Sequence, residues 1–460
     1  VQFVGEAMLT TFFAVIIAML LTALLIPVFN QLTGKQLSVP FTQPIFYIII
    51  VSLLVVTGIV AGSYPAFFLS SLKPVRVLKG SLKFSWSATF FRKALVVFQF
   101  SMSVFLIIAM AVVYQQLNYI QTKNIGYNRD NLLYVPIEGG LVKNYDLFKQ
   151  QALKNSDILN VSKMRNSPTA IFHHTGSIEW PGKNPDQGIS FADGVVGYDF
   201  VKTMKLQLAS GRDFSKDFGT DSAAFLLNET AVRKIGFTNA VGQSMSWGNR
   251  PGKVVGVLKD FHFNSLHETI EPLIIRLDDH WKWGTILVRI KAGKEKEAIA
   301  SLQKVCKEVN PEFPFTYQFS DLEFAKLYSS EAVVSKLANL FAFLAIFISC
   351  LGLFGLATFT AEQRVKEIGV RKVLGASAFN IVQLLSANFL RPVVLAFIIA
   401  FPLAWYAMNK WLEGYAYKIS IDWRMFAAAA LVTVCIALLT VSFQTLRAAI
   451  VNPVKSLRTE

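Results

Sequence analysis

The chain has 460 residues, of which 53% are hydrophobic and 16% charged, well below the roughly one-quarter charged content of ordinary soluble domains. A net charge of +15 would suit nucleic acid, but bases and acids nearly balance over 118–334 and the excess sits beside apolar stretches. No nucleic-acid partner is expected, and the three cysteines are too few for a disulfide framework.

Six apolar stretches, at 8–29, 45–68, 94–114, 336–360, 389–408 and 425–446, each approach the roughly 20 residues needed to span a bilayer. The first two are joined by the short loop 30–43. They are followed by an acid-free run carrying Lys73, Arg76, Lys79, Lys83, Arg92 and Lys93. The third span continues as helical pattern to about 122. A long stretch of soluble composition then leads into the fourth span, with helical pattern unbroken from about 321. A second basic segment, 361–380, separates the fourth span from the last two, and the tail carries Arg447, Lys455 and Arg458. Basic residues stay on the cytoplasmic side, and alternation through six spans puts all three basic segments there. The large domain therefore faces outward, with membrane lipid as the partner of the spans and basic flanks.

The end of the chain resembles its beginning. Thr445 to Arg458 shares with Ala66 to Lys79 a small-residue helix end followed by Pro-Val-basic-x-Leu-basic. Residues 1–70 are thus expected to be two spanning helices left from a first permease repeat, so that the chain is N-terminally shortened relative to a duplicated protein. The expected division continues with a basic linker at 71–93, a spanning helix and stalk at 94–117, an extracytoplasmic domain at 118–334 and a membrane domain of three spans at 335–460.

The outer domain reads as α+β. Alternating or β-rich runs occur at 131–137, 159–165, 189–196, 224–228, 253–258, 285–291 and 313–319, and helical patterns at 143–155, 229–235 and 294–308. Two β-α-β units at the ends of the domain are expected to flank a more β-rich lobe at about 170–275. The fold class is an α-helical membrane protein with an inserted α+β extracytoplasmic domain.

Little in the sequence points to chemistry, and no catalytic, cofactor or metal residue is assigned. The nearest approach to a nucleotide-binding loop, Gly248 to Val254, has the wrong spacing and no Ser or Thr. Asp260, His262, His267 and Glu268 form the densest group of potential ligands, but their spacing fits no zinc pattern. The spans lack embedded acids or lysines that would mark a proton or ion relay, and Glu6 and Arg391 sit only at span ends, which disfavours an ion-driven carrier. Pro392 and Pro402 are expected to kink or start their helix. In the fourth span Ala342, Ala345, Ser349 and Gly352 recur at spacings of three and four, a small-residue stripe that permits close helix approach.

The basic segment after that span is unusual. It contains Arg364, Lys366, Glu367, Ile368, Gly369, Val370, Arg371, Lys372, Gly375, Ala376 and Ser377. Physically it suits a helix on headgroups or one docked in a partner's groove. The run Glu367-Ile-Gly-Val-Arg-Lys372 with Gly375-Ala-Ser377 resembles the hallmark of FtsX-like permeases, the membrane subunits of the MacB and lipoprotein-releasing class of ABC transporters. Arg92 to Gln99, Gly211-Arg-Asp-Phe214, Asn228-Glu-Thr-Ala231 and Val255 to His262 support the resemblance, which covers essentially the whole chain.

The resemblance implies a MacB-like periplasmic core domain, porter-like with a second lobe, in a bacterial inner-membrane protein. It implies that Arg364 to Ser377 contact a separate cytoplasmic ATPase homodimer, with a second permease chain or a periplasmic adaptor as further partners. It also implies mechanotransmission, in which the ATPase moves the spans and the spans move the outer domain to export or extract an amphiphile. The alternative is a transmembrane relay that activates a periplasmic protein, such as a wall hydrolase, without transport.

Overall fold

A computed structural model describes residues 2–70, 86–184, 186, 188–278, 282–363, 370–371, 374–375 and 377–450. In chain order it begins with helices α1 (Gln2–Thr33), α2 (Pro44–Ser70) and α3 (Trp86–Thr122). Next come β1 (Leu132–Pro136), α4 (Tyr145–Ala152), β2 (Ile158–Met164), β3 (His174–Thr175), β4 (Ile178–Glu179), β5 (Phe191–Val196) and α5 (Phe200–Met204). They are followed by β6 (Leu208–Gly211), β7 (Ala224–Asn228), α6 (Glu229–Ile235), β8 (Ser244–Trp247), β9 (Arg250–Leu258) and β10 (Leu273–Leu277). The chain continues through β11 (Thr285–Ile290), α7 (Glu295–Val309), β12 (Gln318–Phe319), α8 (Ser320–Lys326), α9 (Ser329–Gln363), α10 (Ala378–Leu412) and α11 (Trp423–Ile450).

Each expected span falls inside one of six helices that are long and apolar enough to cross a membrane. Such runs become helices because a bilayer offers no partner for a free backbone N–H or C=O. Pro392 and Pro402 lie inside α10 and do not start it. The expected continuous helix from 321 is interrupted at Leu327 and Tyr328, between α8 and α9. Tyr328 is buried, and its hydroxyl accepts the Leu266 N–H at 2.7 Å, so tertiary bonding holds the chain at the break.

The chain forms two units, 1–110 with 333–404 and 423–460, and 111–332 with 405–422. In the first, Val96 and Phe100 of α3 pack with Leu353 and Ala357 of α9, Phe389, Val393 and Ala396 of α10, and Ala437 and Val441 of α11. In α2, Gly58 leaves room for the Met8 side chain of α1. Outward faces carry exposed Leu20, Leu24, Phe343, Phe347 and Leu439, the surface a hydrocarbon solvent accepts.

The second unit is built on one sheet, ordered β12-β1-β11-β2-β5-β10-β7-β9-β8-β4, with β3 beside β5 and β6 beside β9. β11 pairs antiparallel with both β1 and β2, and β12 pairs antiparallel with β1. The two terminal β-α-β units therefore interleave as a ferredoxin-like split β-α-β. Their helices α4 and α7 bury Phe148, Ala298, Leu302 and Cys306 against Leu133, Val135, Val161 and Val288. Of the expected run 313–319 only Gln318–Phe319 is strand; Pro314, which has no N–H to donate, stands in the remainder. The short strands β3, β4, β6 and β8, and also β10, were not expected.

The remaining strands form the second lobe, its sheet continuous with the first through the edge of β2 against β5, where Met164 pairs with Val196 and Arg165 N–H and Gly197 N–H donate to the carbonyls of Val195 and Lys163 at 2.8 Å. Its core gathers Phe191, Phe225, Leu227, Ala231, Val254, Val257 and Ile274. On the other face from α4 and α7, Arg289 of β11 is 1% exposed. It donates to the carbonyls of Thr203 at 2.9 Å and Asn128 at 2.8 Å and to that of Asp130. Burial lowers its pKa to about 10, so the guanidinium stays charged while it binds the chain entering β1.

Candidate functional site: a small-residue seam and a docked outer hairpin

The expected stripe on α9 is a seam. Ala342 and Ser349 are each 2% exposed, and Ala345 and Gly352 are half-buried. The Ser349 and Ser103 hydroxyls are 3.0 Å apart and both buried. A Cβ at Gly352 would stand 2.5 Å from Gln99 Oε1, so the Gln99 amide of α3 rests against the bare backbone of residue 352. The Ser101 hydroxyl donates to the Val97 carbonyl at 2.7 Å and contacts the Ala396 carbonyl of α10 at 3.4 Å. The pattern at spacings of three and four thus places its residues together on one helix face.

Of the expected coupling segment, Arg364, Lys366, Glu367, Ile368, Gly369, Lys372 and Ala376 lie outside the described residues, as does most of the basic linker, 71–85. Val370 and Arg371 are helical and exposed, and Leu374 is 81% exposed. Gly375 has φ +90°, the left-handed backbone that ends a helical turn at little cost only for glycine. The Ser377 hydroxyl accepts the Asn380 N–H at 3.2 Å, a cap for the start of α10.

The motifs 211–214, 228–231 and 255–262 interlock in the second lobe. Arg212 forks onto Asp221 at 2.6 and 2.7 Å. Burial pushes that carboxylate's pKa up, but the Arg212 fork and the Ser215 N–H outweigh burial and hold it below the ordinary range. Asn228 caps α6 by accepting the Ala231 N–H at 2.9 Å, and also accepts the Leu273 N–H at 2.9 Å. Asp260 accepts from the Thr230 N–H at 2.9 Å, the Thr230 hydroxyl at 2.8 Å and Arg233 at 2.7 Å. These motif residues hold the scaffold.

A second arrangement was not expected from the sequence. Residues 405–422, the end of α10 and the hairpin after it, belong to the second unit. Gln116 of α3 is 0% exposed; its amide donates to the Tyr417 carbonyl at 3.0 Å and accepts the Ile419 N–H at 3.0 Å. The Ala416 and Tyr417 N–H groups donate to the carbonyls of His267 and Leu266 at 3.1 and 3.2 Å. The His262 ring stands edge-on to Tyr417, with centroids 4.4 Å apart. Burial, helped by Lys123, lowers its pKa to about 4, so His262 is neutral at ordinary pH.

The His267 ring stacks on Tyr415 at 4.2 Å and on Tyr328 at 5.9 Å. Its Nδ1 lies 2.7 Å from the Ser265 hydroxyl and its Nε2 lies 3.2 Å from Glu331. The two histidines of the weighed metal group thus engage different tyrosines, and among the described residues no group of three or more ligands could hold a metal. The sequence signal that marks this hairpin is Trp411, Tyr415 and Tyr417 packed into one short outer loop.

Two family models match successive parts of the chain, a MacB-like periplasmic core domain over 94–304 and an FtsX-like permease C-terminal domain over 339–453. The chain belongs to the FtsX-like, MacB-type ABC transporter permeases. Similar curated relatives are named macrolide export ATP-binding/permease protein MacB. That of Chromobacterium violaceum is 26% identical over 283 residues, 58% of this chain and 43% of the relative. That of Aggregatibacter actinomycetemcomitans is 24% identical over 198 residues, 41% of this chain and 31% of the relative. The chain thus spans less than half the length of these relatives.

Among solved structures, the periplasmic region of MacB from Actinobacillus actinomycetemcomitans is 18% identical with a TM-score of 0.33, covering 45% of this chain and 97% of that one. The extracellular domain of the transporter YknZ from Gram-positive bacteria is 13% identical with a TM-score of 0.30, covering 41% and 98%. Apolar spans and a periplasmic-type domain share this one chain.

Proposed function

We propose that the chain is the permease subunit of an ABC transporter of the MacB and lipoprotein-release type in a bacterial inner membrane. A separate cytoplasmic ATPase dimer engages Arg364 to Ser377, and its closure is passed through the spans to the periplasmic domain, which exports or extracts an amphiphile. The observation that carries this reading is the joining on one chain of the MacB-like match at 94–304 to the FtsX-like match at 339–453.

Three features support it. The seam between α3 and α9 is made of small side chains and one serine pair, a face on which one helix can slide past another. The outer end of α3 bonds to the hairpin that follows α10, and that hairpin and the start of α9 both bond to the loop 262–267. A shift of any one of the three helices is therefore felt at one place in the domain. The names of the curated relatives join an ATP-binding part to a permease part, and no phosphate-binding loop occurs in these 460 residues.

The test replaces Glu367 and Arg371 together by alanine and measures co-purification with the ABC ATPase isolated with the native permease, and the permease's stimulation of ATP hydrolysis. Loss of both is expected. Unchanged binding with unchanged stimulation would sink the coupling assignment.

A further inference from the structure

The Ser103 hydroxyl of α3 meets the Ser349 hydroxyl of α9 at 3.0 Å, and the two side chains are 1% and 2% exposed. Between Asn339 and Thr358, Ser349 is the only hydroxyl or amide side chain on α9. Over residues 96–107, α3 carries three such groups, Gln99, Ser101 and Ser103. Ser101 is satisfied by the carbonyls of Val97 and Ala396. The Gln99 amide makes no hydrogen bond among the described residues. It lies against Gly352, where an added Cβ would stand 2.5 Å from Oε1. An amide turned into a seam between spanning helices costs free energy until it finds a partner, because hydrocarbon offers none.

We infer that the seam has two registers about one helical turn apart, and that Gln99 is the second partner of Ser349. In the second register α9 has slid toward its own C-terminal end by roughly 5 Å. Ser349 then takes the place of Gly352 beside Gln99, and Ala345 takes the place of Ser349 beside Ser103. The Cβ arriving at Gln99 meets the far end of a flexible side chain, which turns aside and bonds the hydroxyl. Ala345 brings no bulk against Ser103, whose hydroxyl can turn to a carbonyl of its own helix, as Ser101 does to Val97. Helix α10 stays with α3 because Ser101 holds the Ala396 carbonyl at 3.4 Å. The two registers are discrete because a hydroxyl midway between Ser103 and Gln99 bonds neither, and packed interfaces switch between arrangements in preference to deforming continuously.

What drives the slide rests on the transport reading, but the existence of two registers does not. The test uses the full chain purified in detergent, with C350A and C435A in place so that these two thiols do not compete, and follows disulfide formation under a mild oxidant. The pair S103C/S349C reports the first register. The pair S103C/A345C reports the second and keeps Gln99 and Ser349 intact, since a disulfide needs Cβ atoms about 3.5–4.5 Å apart. Both pairs are expected to form. Q99M keeps the length of the side chain and removes its amide. It should slow the S103C/A345C bond about threefold, the average worth of a hydrogen bond between spanning helices, and leave S103C/S349C at its former rate.

Failure of S103C/A345C to form a disulfide overturns the second register, and so does an S103C/A345C rate that Q99M leaves unchanged. A fall of both pairs alike also overturns it, because residue 99 then acts on packing and not on register. Adding the ABC ATPase isolated with the native permease, together with a non-hydrolysable ATP analogue, is expected to raise the S103C/A345C rate. A rate that depends on Gln99 but ignores the ATPase refutes the driven slide and keeps the two registers. Association with the ATPase alongside a rate indifferent to Gln99 keeps the transport reading and refutes the registers.

Discussion

Replacing Gln116 by leucine tests the docked hairpin most directly. The side chain is fully buried and uses both ends of its amide, at 3.0 Å to the Tyr417 carbonyl and 3.0 Å from the Ile419 N–H. Leucine keeps nearly the same volume and α3 keeps its helical register, so packing changes little. Both hydrogen bonds are lost, and each is worth about 0.5–1.5 kcal/mol net because water satisfies the same groups when the hairpin lifts. The free energy of lifting should therefore fall by about 2 kcal/mol, which is about 30-fold in the population of the open state. The assay is amide hydrogen exchange of the full chain, read at peptides covering 415–420. Exchange at the Ile419 amide should rise by about that factor, and Ala416 and Tyr417, bonded to His267 and Leu266, should follow because they open together. Exchange at Ile419 within twofold of the parent would refute the claim that Gln116 holds the hairpin.

Replacing Arg289 by methionine leaves the carbonyls of Asn128, Asp130 and Thr203 without their donor; thermal unfolding of the purified chain should show a loss of about 3–9 kcal/mol, at roughly 1–3 kcal/mol for each of the three orphaned groups. His262 gives a pH dependence whose sign is fixed: its folded pKa of about 4 lies below the usual 6.5 or so, so the unfolded chain binds more protons between those values. Its contribution to stability, up to about 3 kcal/mol, is present above pH 6.5 or so and is lost as pH falls toward 4; the H262F variant should lose that part of the slope in denaturation at stepped pH. In the seam, Ser349→Ala should cost less than about 1 kcal/mol, since interhelical hydrogen bonds in membranes average about 0.6 kcal/mol. Ser349→Leu should cost about 1–3 kcal/mol by overpacking against α3, and an equal effect of the two in detergent unfolding would argue that the seam is not tightly packed.

The spans were legible because hydrocarbon imposes its demand on each segment separately. A run such as 94–114 must satisfy its backbone within itself, so length and apolarity suffice to find it. The same holds for α6, whose cap Asn228 and stop Gly236 are written at its two ends. The strands β3, β4, β6 and β8 have two to four residues each, too few for an alternation to stand out. They exist because a longer neighbour such as β9 supplies the pairing. The break at Tyr328 was hidden for a related reason: its local pattern is helical, and only the Leu266 N–H decides otherwise.

By itself, then, the sequence determined the six helices, the α+β character of the domain between them and the permease family, because these are properties of segments and motifs. Only the tertiary structure decided that the two β-α-β units interleave, that Arg289 binds three carbonyls from distant residues, and that the last outer hairpin rests on Gln116 and His267. Those are pairings between groups as much as 303 residues apart, and no local pattern encodes them. They follow from burial, which leaves each amide, imidazole and guanidinium to find its partner wherever the fold brings one.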